Sequence, residues 1–161
     1  MSMKIADLDE VSLQILNILQ KNARRSIKDI AVEVCLSPPA VSKRIEKLER
    51  EGYILGYQAQ VNPIAVGLLT KAFISLEVEP VEKKKFYPFI KKCKNVVECN
   101  CVTGEYSMLL EVLFQTTMEL DHFIGVLQKF GRTKTLIVFS TSVDHRGVEI
   151  CDETTSDSVN G

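Results

Sequence analysis

Residues 37–57, SPPAVSKRIEKLEREGYILGY, set hydrogen-bond donors and cations beside a narrow apolar seam. Hydroxyl and ammonium groups such as those of Ser42 and Lys43 can donate to base edges in a DNA major groove. Pro39 and Ala40 are small and apolar, which suits contact with a thymine methyl. Ser37, Arg44, Lys47 and Arg50 suit phosphate oxygens, contacts that anchor a duplex without reading it. Arg24 and Arg25, just upstream, offer the same anchoring chemistry. These groups act together only if one rigid element presents them, so the elements around them decide the matter.

The stretch reads as a helix with both ends marked. Ser37 is a good N-cap, because its hydroxyl can accept from an unpaired backbone N–H. Pro38 and Pro39 fall in the first turn, where a missing N–H does little harm. Gly52 is a natural stop, since it can take the left-handed conformation that ends a helix. At about 100° per residue, Val41, Ile45 and Leu48 form the buried centre. Pro39, Lys43, Glu46, Lys47 and Arg50 fall on the opposite side, with Ser42 and Arg44 flanking the seam.

Two helices are predicted before it, the second of them shorter. Residues 8–22 carry Leu8, Val11, Ile15, Leu16, Ile18 and Leu19 on one wide apolar face, with Asp7 or Asp9 as cap. Residues 26–34 carry Ile27, Ile30, Ala31 and Val34 at helical spacing, and Ser26 and Asp29 have capping-box spacing. About three residues separate this helix from the next, so the three make a helix-turn-helix. An isolated charged helix would be no more than a solvated surface. Here the short preceding helix, the tight turn and seven Lys/Arg against four Asp/Glu between Arg24 and Arg50 agree on DNA. Glu46 and Glu49 weaken the local field, so one head should bind non-specific DNA modestly.

A different rhythm follows. YQAQV, residues 57–61, alternates like a half-buried strand, and Asn62-Pro63 reads as a boundary. Beyond it come a strand in TKAFISLEV, a helix in VEKKKFYPFIKKC with an awkward Pro88, and a strand in NVVECNCV. TGEYS is a turn and MLLEVLF a buried strand. A helix begins at Thr116, whose spacing to Glu119 is that of a capping box, and ends at Gly131. KTLIVFSTSV is the last strand. The order is β-α-β-β-α-β, an antiparallel sheet with helices on one face. The fold class is therefore α+β. The expected domains are a helix-turn-helix head at 1–53, a linker strand at 54–63, a ferredoxin-like domain at 64–146 and a disordered acidic tail at 147–161. The bare face of such a sheet calls for a cover, most simply a second copy of the chain.

Composition narrows the function further. The formal charge of −1 excludes a general basic coat for nucleic acid, and the balance after Pro63 is eleven Lys/Arg against thirteen Asp/Glu. No apolar run is long enough to cross a membrane. The N-terminus lacks a secretory layout, so five cysteines are expected reduced, in the cytoplasm. Cys99 and Cys101 lie two apart on a strand with no second Cys pair or His beside them, so they read as small core residues, not a zinc site. His122 and His145 have no partner at catalytic spacing, and no phosphate loop or nucleophile motif is present. No enzyme, cofactor or metal is expected, and His122 reads as a helix-surface residue.

LDEVSLQIL, SIKDIAVEVCLSPPAVSKRIEKLEREGYILGY, VTGEYSMLL and TLIVFSTSV together resemble the Lrp/AsnC, or feast/famine, family of transcriptional regulators. The likeness runs from about Leu8 to about Val143, and its most specific part is the run LS-P-x-x-V-x-x-R-I-x-x-L-E-x-x-G-x-I-x-G-Y. The resemblance implies operator binding by the N-terminal helix-turn-helix and pairing into homodimers through the C-terminal domain, called RAM, often with assembly to octamers. It also implies small-molecule effectors, usually amino acids, near the loop that here is Thr103, Gly104, Glu105, Tyr106 and Ser107. This chain departs from the family's usual pattern twice. Cys35 stands in the helix-turn-helix turn where glycine is frequent, which implies either strain or a slightly different turn. Ser107 stands where many members carry an Asp that pairs with the effector's amino group, so a charge-assisted bond is lost there. The expected function is a sequence-specific, multimeric DNA-binding regulator. The competing reading is an architectural protein that wraps DNA without an effector.

Overall fold

A computed structural model describes residues 8–150. The chain divides into two compact units: residues 8–60 with 144–150, and residues 61–143.

In the first unit, helix α1 spans Glu10–Lys21, α2 Ile27–Glu33 and α3 Pro38–Arg50. Each begins on a side-chain cap. Asp9 accepts from the Ser12 N–H at 2.9 Å, Ser26 from Asp29 at 3.1 Å and Ser37 from Ala40 at 3.4 Å. Ile15, Ile30, Val41 and Leu48 are fully buried where the three apolar stripes meet. α3 ends as its glycine predicts. Gly52 takes φ 78°, its N–H bonds the Glu49 carbonyl, and the Tyr53 N–H reaches back to Leu48. That is the Schellman arrangement, which pairs carbonyls the helix end would leave free.

The turn between α2 and α3 uses the same closure. Leu36 N–H bonds the Ala31 carbonyl at 2.9 Å, Cys35 N–H bonds Val32 at 3.4 Å, and Cys35 sits at φ 54°. A residue with a Cβ is strained in this left-handed region. Cys35→Gly is therefore expected to raise the thermal midpoint of the head slightly, its relief partly offset by greater freedom in the unfolded chain. Cys35→Val, β-branched at the same φ, should lower stability by about 1–2 kcal/mol. Helical circular dichroism against temperature ranks the three proteins; a valine variant as stable as the parent would contradict the strain.

The expected strand at 57–61 is absent. Residues 55–62 form no strand and their backbone makes no ladder bond among the described residues, since alternation alone cannot supply a partner. Tyr57 instead donates its hydroxyl to Glu49 Oε1 at 2.8 Å, across from α3. Partial burial and the adjoining carboxylate push this phenol up to about 12, so it stays a donor at neutral pH. The disorder expected from residue 147 onward does not hold for residues 147–150, which lie against α1; residues 151–161 are outside the described residues.

The second unit opens with a single 3-10 turn, Ile64–Val66, and the Asn62 side chain just before it accepts from the Ile64 N–H at 3.0 Å. Strand β1 is Thr70–Val78, helix α4 Lys83–Ile90, β2 Val96–Cys101, β3 Met108–Phe114, α5 Thr117–Leu127 and β4 Gly131–Ile137. The sheet order is β2-β3-β1-β4, with every neighbour antiparallel. This is the predicted split βαβ topology. Alternate residues Ala72, Ile74, Leu76 and Val78 on β1 and Met108, Leu110, Val112 and Phe114 on β3 are buried against Phe86, Ile90, Leu120 and Leu127 of the helices. The opposite face carries Phe73, Leu109 and Leu113, half-buried, and an exposed Leu136. β3 is thus buried on one face and half-buried on the other.

Two element boundaries differ from expectation. Gly131 does not end α5, which stops at Leu127; it begins β4, so that strand runs 131–137 rather than 134–143. The register puts Gly131 opposite Val78, and a Cβ on it would lie 1.7 Å from the Glu77 carbonyl oxygen. The glycine is needed for close approach of two backbones, which looks the same in sequence as a helix stop. Pro88 neither delays nor excludes α4; it sits in the second turn, and the helix ends at Ile90. Cys99 is half-buried against the core, but Cys101, at the strand end, is exposed.

Candidate nucleic-acid interface

The face of α3 turned away from the core is the predicted one. Pro39, Lys43, Glu46, Lys47 and Arg50 are exposed, while Val41 and Leu48 are buried beneath them. Ser37 is exposed at the N-terminus, and Ala40 is half-buried beside it. The first two turns therefore present a hydroxyl, two small apolar groups and the Lys43 ammonium in sequence. Lys47 lies 3.9 Å from Glu51, an exposed pair one turn apart that a phosphate can displace at little cost.

Beside Ser37, which caps α3, and Lys47, three further predicted groups are engaged within the chain. Arg44 Nη1 donates to both Asp9 oxygens, at 2.8 and 2.6 Å, and to Ser12 Oγ at 3.1 Å. It first braces α3 against the start of α1; its remaining N–H groups stay open to a phosphate. Ser42 Oγ lies 3.5 Å from Glu46 Oε1, a weak contact that a base could replace. Arg25 pairs with Glu33 at 3.3 Å, whereas Arg24 is exposed. The Arg44 brace had no sequence signal, because Asp9 is 35 residues away.

Hydrogen bonding from Ser12, then from Arg44, pulls the Asp9 carboxyl down from 3.8 to about 2. A carboxyl whose folded pKa is depressed contributes stability above its unfolded value and loses it as pH falls to the folded one. Asp9→Asn should therefore be less stable than the parent at pH 5–7, and the gap should close between about pH 4 and 2. Thermal midpoints of both proteins across that range test this; a gap that persists at pH 2 would show that the carboxylate charge is not its source.

The effector loop predicted in the second unit is a closed hairpin end. Val102 N–H bonds the Ser107 carbonyl at 3.0 Å, and Gly104 takes φ 111°. The Ser107 hydroxyl accepts from the Val78 N–H at 3.1 Å and donates to the Leu76 carbonyl at 3.4 Å. It therefore knits the loop to the end of β1. Glu105 Oε1 accepts from Arg132 Nη2 at 2.7 Å, Glu77 accepts from Arg132 Nε at 3.3 Å, and the guanidinium lies 5.2 Å from the Tyr106 ring centre. Thr103 is exposed. Arg132 was not singled out in the sequence, since only the β1–β4 register brings it to this loop. Among the described residues no group of three or more His, Cys, Asp or Glu is placed to hold a metal. His122 is exposed on α5.

Residues 8–54 match a winged helix-turn-helix DNA-binding model, and residues 71–148 match the Lrp/AsnC ligand-binding domain. An uncharacterized HTH-type transcriptional regulator of Bacillus subtilis, YezC, is 33% identical over 138 residues, covering 86% of this chain and 98% of that protein. The chain belongs to the Lrp/AsnC family. A second Bacillus subtilis relative, the HTH-type transcriptional regulator LrpA, is 33% identical over 132 residues, covering 81% of this chain and 97% of its own. Among solved structures, Bacillus subtilis LrpC superposes with a TM-score of 0.81 at 26% identity, over 89% of this chain and all of that one. A feast or famine regulatory protein from M. tuberculosis, complexed with L-methionine, superposes at 0.83 with 27% identity, over 89% and 99%. The Lrp/AsnC chain described here is a DNA-binding transcriptional regulator, as the two Bacillus subtilis relatives are named to be. No described helix is long and apolar enough to cross a membrane.

Proposed function

We propose that this Lrp/AsnC regulator reads operator DNA with the N-terminal half of α3 and acts in the cytoplasm as a homodimer or a larger assembly, up to an octamer. Ser42 and Lys43 donate to bases, and Pro39 and Ala40 contact thymine methyls. Ser37, Arg24, Arg25, Lys47 and the open side of Arg44 hold phosphates. The single observation that carries this reading is the exposed, cationic outer face of α3 above fully buried Val41 and Leu48. Pairing is supported by the apolar outer sheet face of Phe73, Leu109, Leu113 and Leu136, a surface that a second copy would remove from water.

The effector site is Thr103, Gly104, Glu105, Tyr106 and Ser107, and its ligand an amino acid. L-methionine is present in the M. tuberculosis structure and in one of a transcriptional regulator from Neisseria meningitidis. In this chain Ser107 serves the backbone, so the loop's carboxylate is Glu105, and an incoming ammonium must compete with Arg132 for it. The architectural, effector-free reading has the weaker support. Isothermal calorimetry with the twenty amino acids, beside gel shifts on the DNA upstream of the chain's own gene, tests both halves. Saturable binding of one amino acid together with preference for that DNA over random duplex is expected. Equal affinity for both duplexes and no amino-acid heat would reverse the reading in favour of the architectural one.

A further inference from the structure

The near-neutral total conceals one strongly charged element outside the head. Residues 83–94, KKKFYPFIKKCK, hold six of the ten Lys/Arg of residues 61–143 and no Asp or Glu. Elsewhere in that unit, Lys71 pairs with Glu111 at 2.7 Å, and Arg132 pairs with Glu77 and Glu105. Of the six lysines, only Lys85 has an ion pair among the described residues, with Glu82 at 3.1 Å. An exposed pair of this kind holds its cation weakly.

Helix α4 sorts this stretch into two sides. Phe86 and Ile90 are buried in the core of the second unit, with Phe89 and Cys93 packed beside them. At about 100° per residue, Lys84, Tyr87, Pro88 and Lys91 follow one another on the opposite side, flanked by Lys85 and Lys92. These residues are exposed, as is Lys94 in the turn that follows. Lys91 and Lys92, just past the C-terminus, suit the helix dipole. Lys83, Lys84 and Lys85 do not: they crowd its positive end, which no side chain caps. The dipole opposes cations there, so helix stability does not account for them. From Lys84 to Lys91 the row runs about 10 Å along the axis. That spans roughly three phosphates of one DNA strand, at about 3.4 Å each along the duplex. Charges spread in a row fit a polyanion better than a single small anion.

We propose that the outer side of α4 is a second DNA contact: Lys84, Lys91, Lys92 and Lys94, with the Tyr87 hydroxyl, hold duplex phosphates without reading sequence. This rests on the DNA-binding function and adds to it a contact outside the head. Duplex DNA is the polyanion that this chain handles, and Glu46 and Glu49 leave a single head with a modest field of its own. α4 covers the sheet face opposite Phe73, Leu109 and Leu113, so pairing through those residues leaves the row open. Both units share one chain, so phosphates held by one raise the local concentration of duplex at the other.

The test is binding of a long random-sequence duplex to the full chain, followed by fluorescence anisotropy from about 50 to about 500 mM salt. Lys84→Gln/Lys91→Gln should bind roughly tenfold more weakly than the parent near 50 mM, with a salt slope shallower by about one to two for each protomer engaged. Adding Lys92→Gln/Lys94→Gln should deepen both effects. Lys84→Arg/Lys91→Arg, which keeps the charge, should stay within about twofold of the parent. A control, Lys129→Gln/Lys134→Gln, removes the same charge from exposed sites elsewhere in the second unit and should move binding less than about twofold. A glutamine variant of α4 that matches the parent at low salt would overturn the proposal and leave the row to another partner, such as an acidic protein surface. An arginine variant as weak as the glutamine one would overturn it, and so would a control that loses as much. A parent that binds no duplex would overturn the DNA-binding function and this contact with it, a result distinct from a parent that binds no better than its α4 variant.

Discussion

Lys43→Ala is expected to erase most of the difference between operator and random DNA, by about 1–3 kcal/mol for each head engaged, or roughly fivefold to 150-fold. Lys43 is exposed one turn into α3, where a helix-turn-helix reaches base edges, and no ion pair holds it among the described residues. Lys47, one turn further, is the residue proposed to hold a phosphate. Lys47→Ala should weaken operator and random DNA alike and reduce the salt slope by about one per head. The measurement is a pair of salt titrations, on duplex selected by the parent from a random pool and on unselected duplex. If Lys43→Ala keeps the parent's preference while Lys47→Ala loses it, the assignment of base and phosphate contacts along α3 is reversed. If neither matters, the reading face is elsewhere.

Gly131→Ala is expected to open the β1–β4 edge of the second unit. The added Cβ would stand 1.7 Å from the Glu77 oxygen and 2.8 Å from its carbonyl carbon. Both are backbone atoms of the neighbouring strand, so no side chain can swing aside. Relief requires the strands to part near Val78, at a cost of about 3 kcal/mol or more when strain and lost ladder bonds combine. Arg132 follows directly, so its bonds to Glu77 and Glu105 should be lost with the register. Urea unfolding measures the first effect, and amide NMR shifts of β4 and residues 103–107 measure the second. A variant with the parent's midpoint and unchanged β4 shifts would show that the close approach is not a constraint.

These two predictions differ in how much of each was legible beforehand. The outward side of α3 follows from the spacing of Val41, Ile45 and Leu48, and its limits follow from Ser37, two prolines and Gly52. Periodicity and caps act over about four residues, so a single segment contains all the information they need. The alternation in Thr70–Val78 that buries one face of β1 was legible for the same reason, whereas the turn at Cys35 drew notice only through the family resemblance. Gly131 was misassigned because glycine serves two purposes with one local appearance. Its use is decided by whether another backbone lies against it, here that of Glu77.

By itself, then, the sequence determined the α+β class, the helix-turn-helix with its cationic face, and the order of strands and helices in the second unit. Tertiary structure alone decided that Arg44 braces Asp9, that Ser107 binds the β1 backbone, that Arg132 meets Glu105, and that Asn17 holds Ile150. It also decided that residues 57–61 have no ladder partner among the described residues. The physical reason is range. A cap or an apolar stripe is a relation between near neighbours along the chain. The side-chain contacts just named join segments 27 to 133 residues apart, and only the folded chain brings them within a few ångströms.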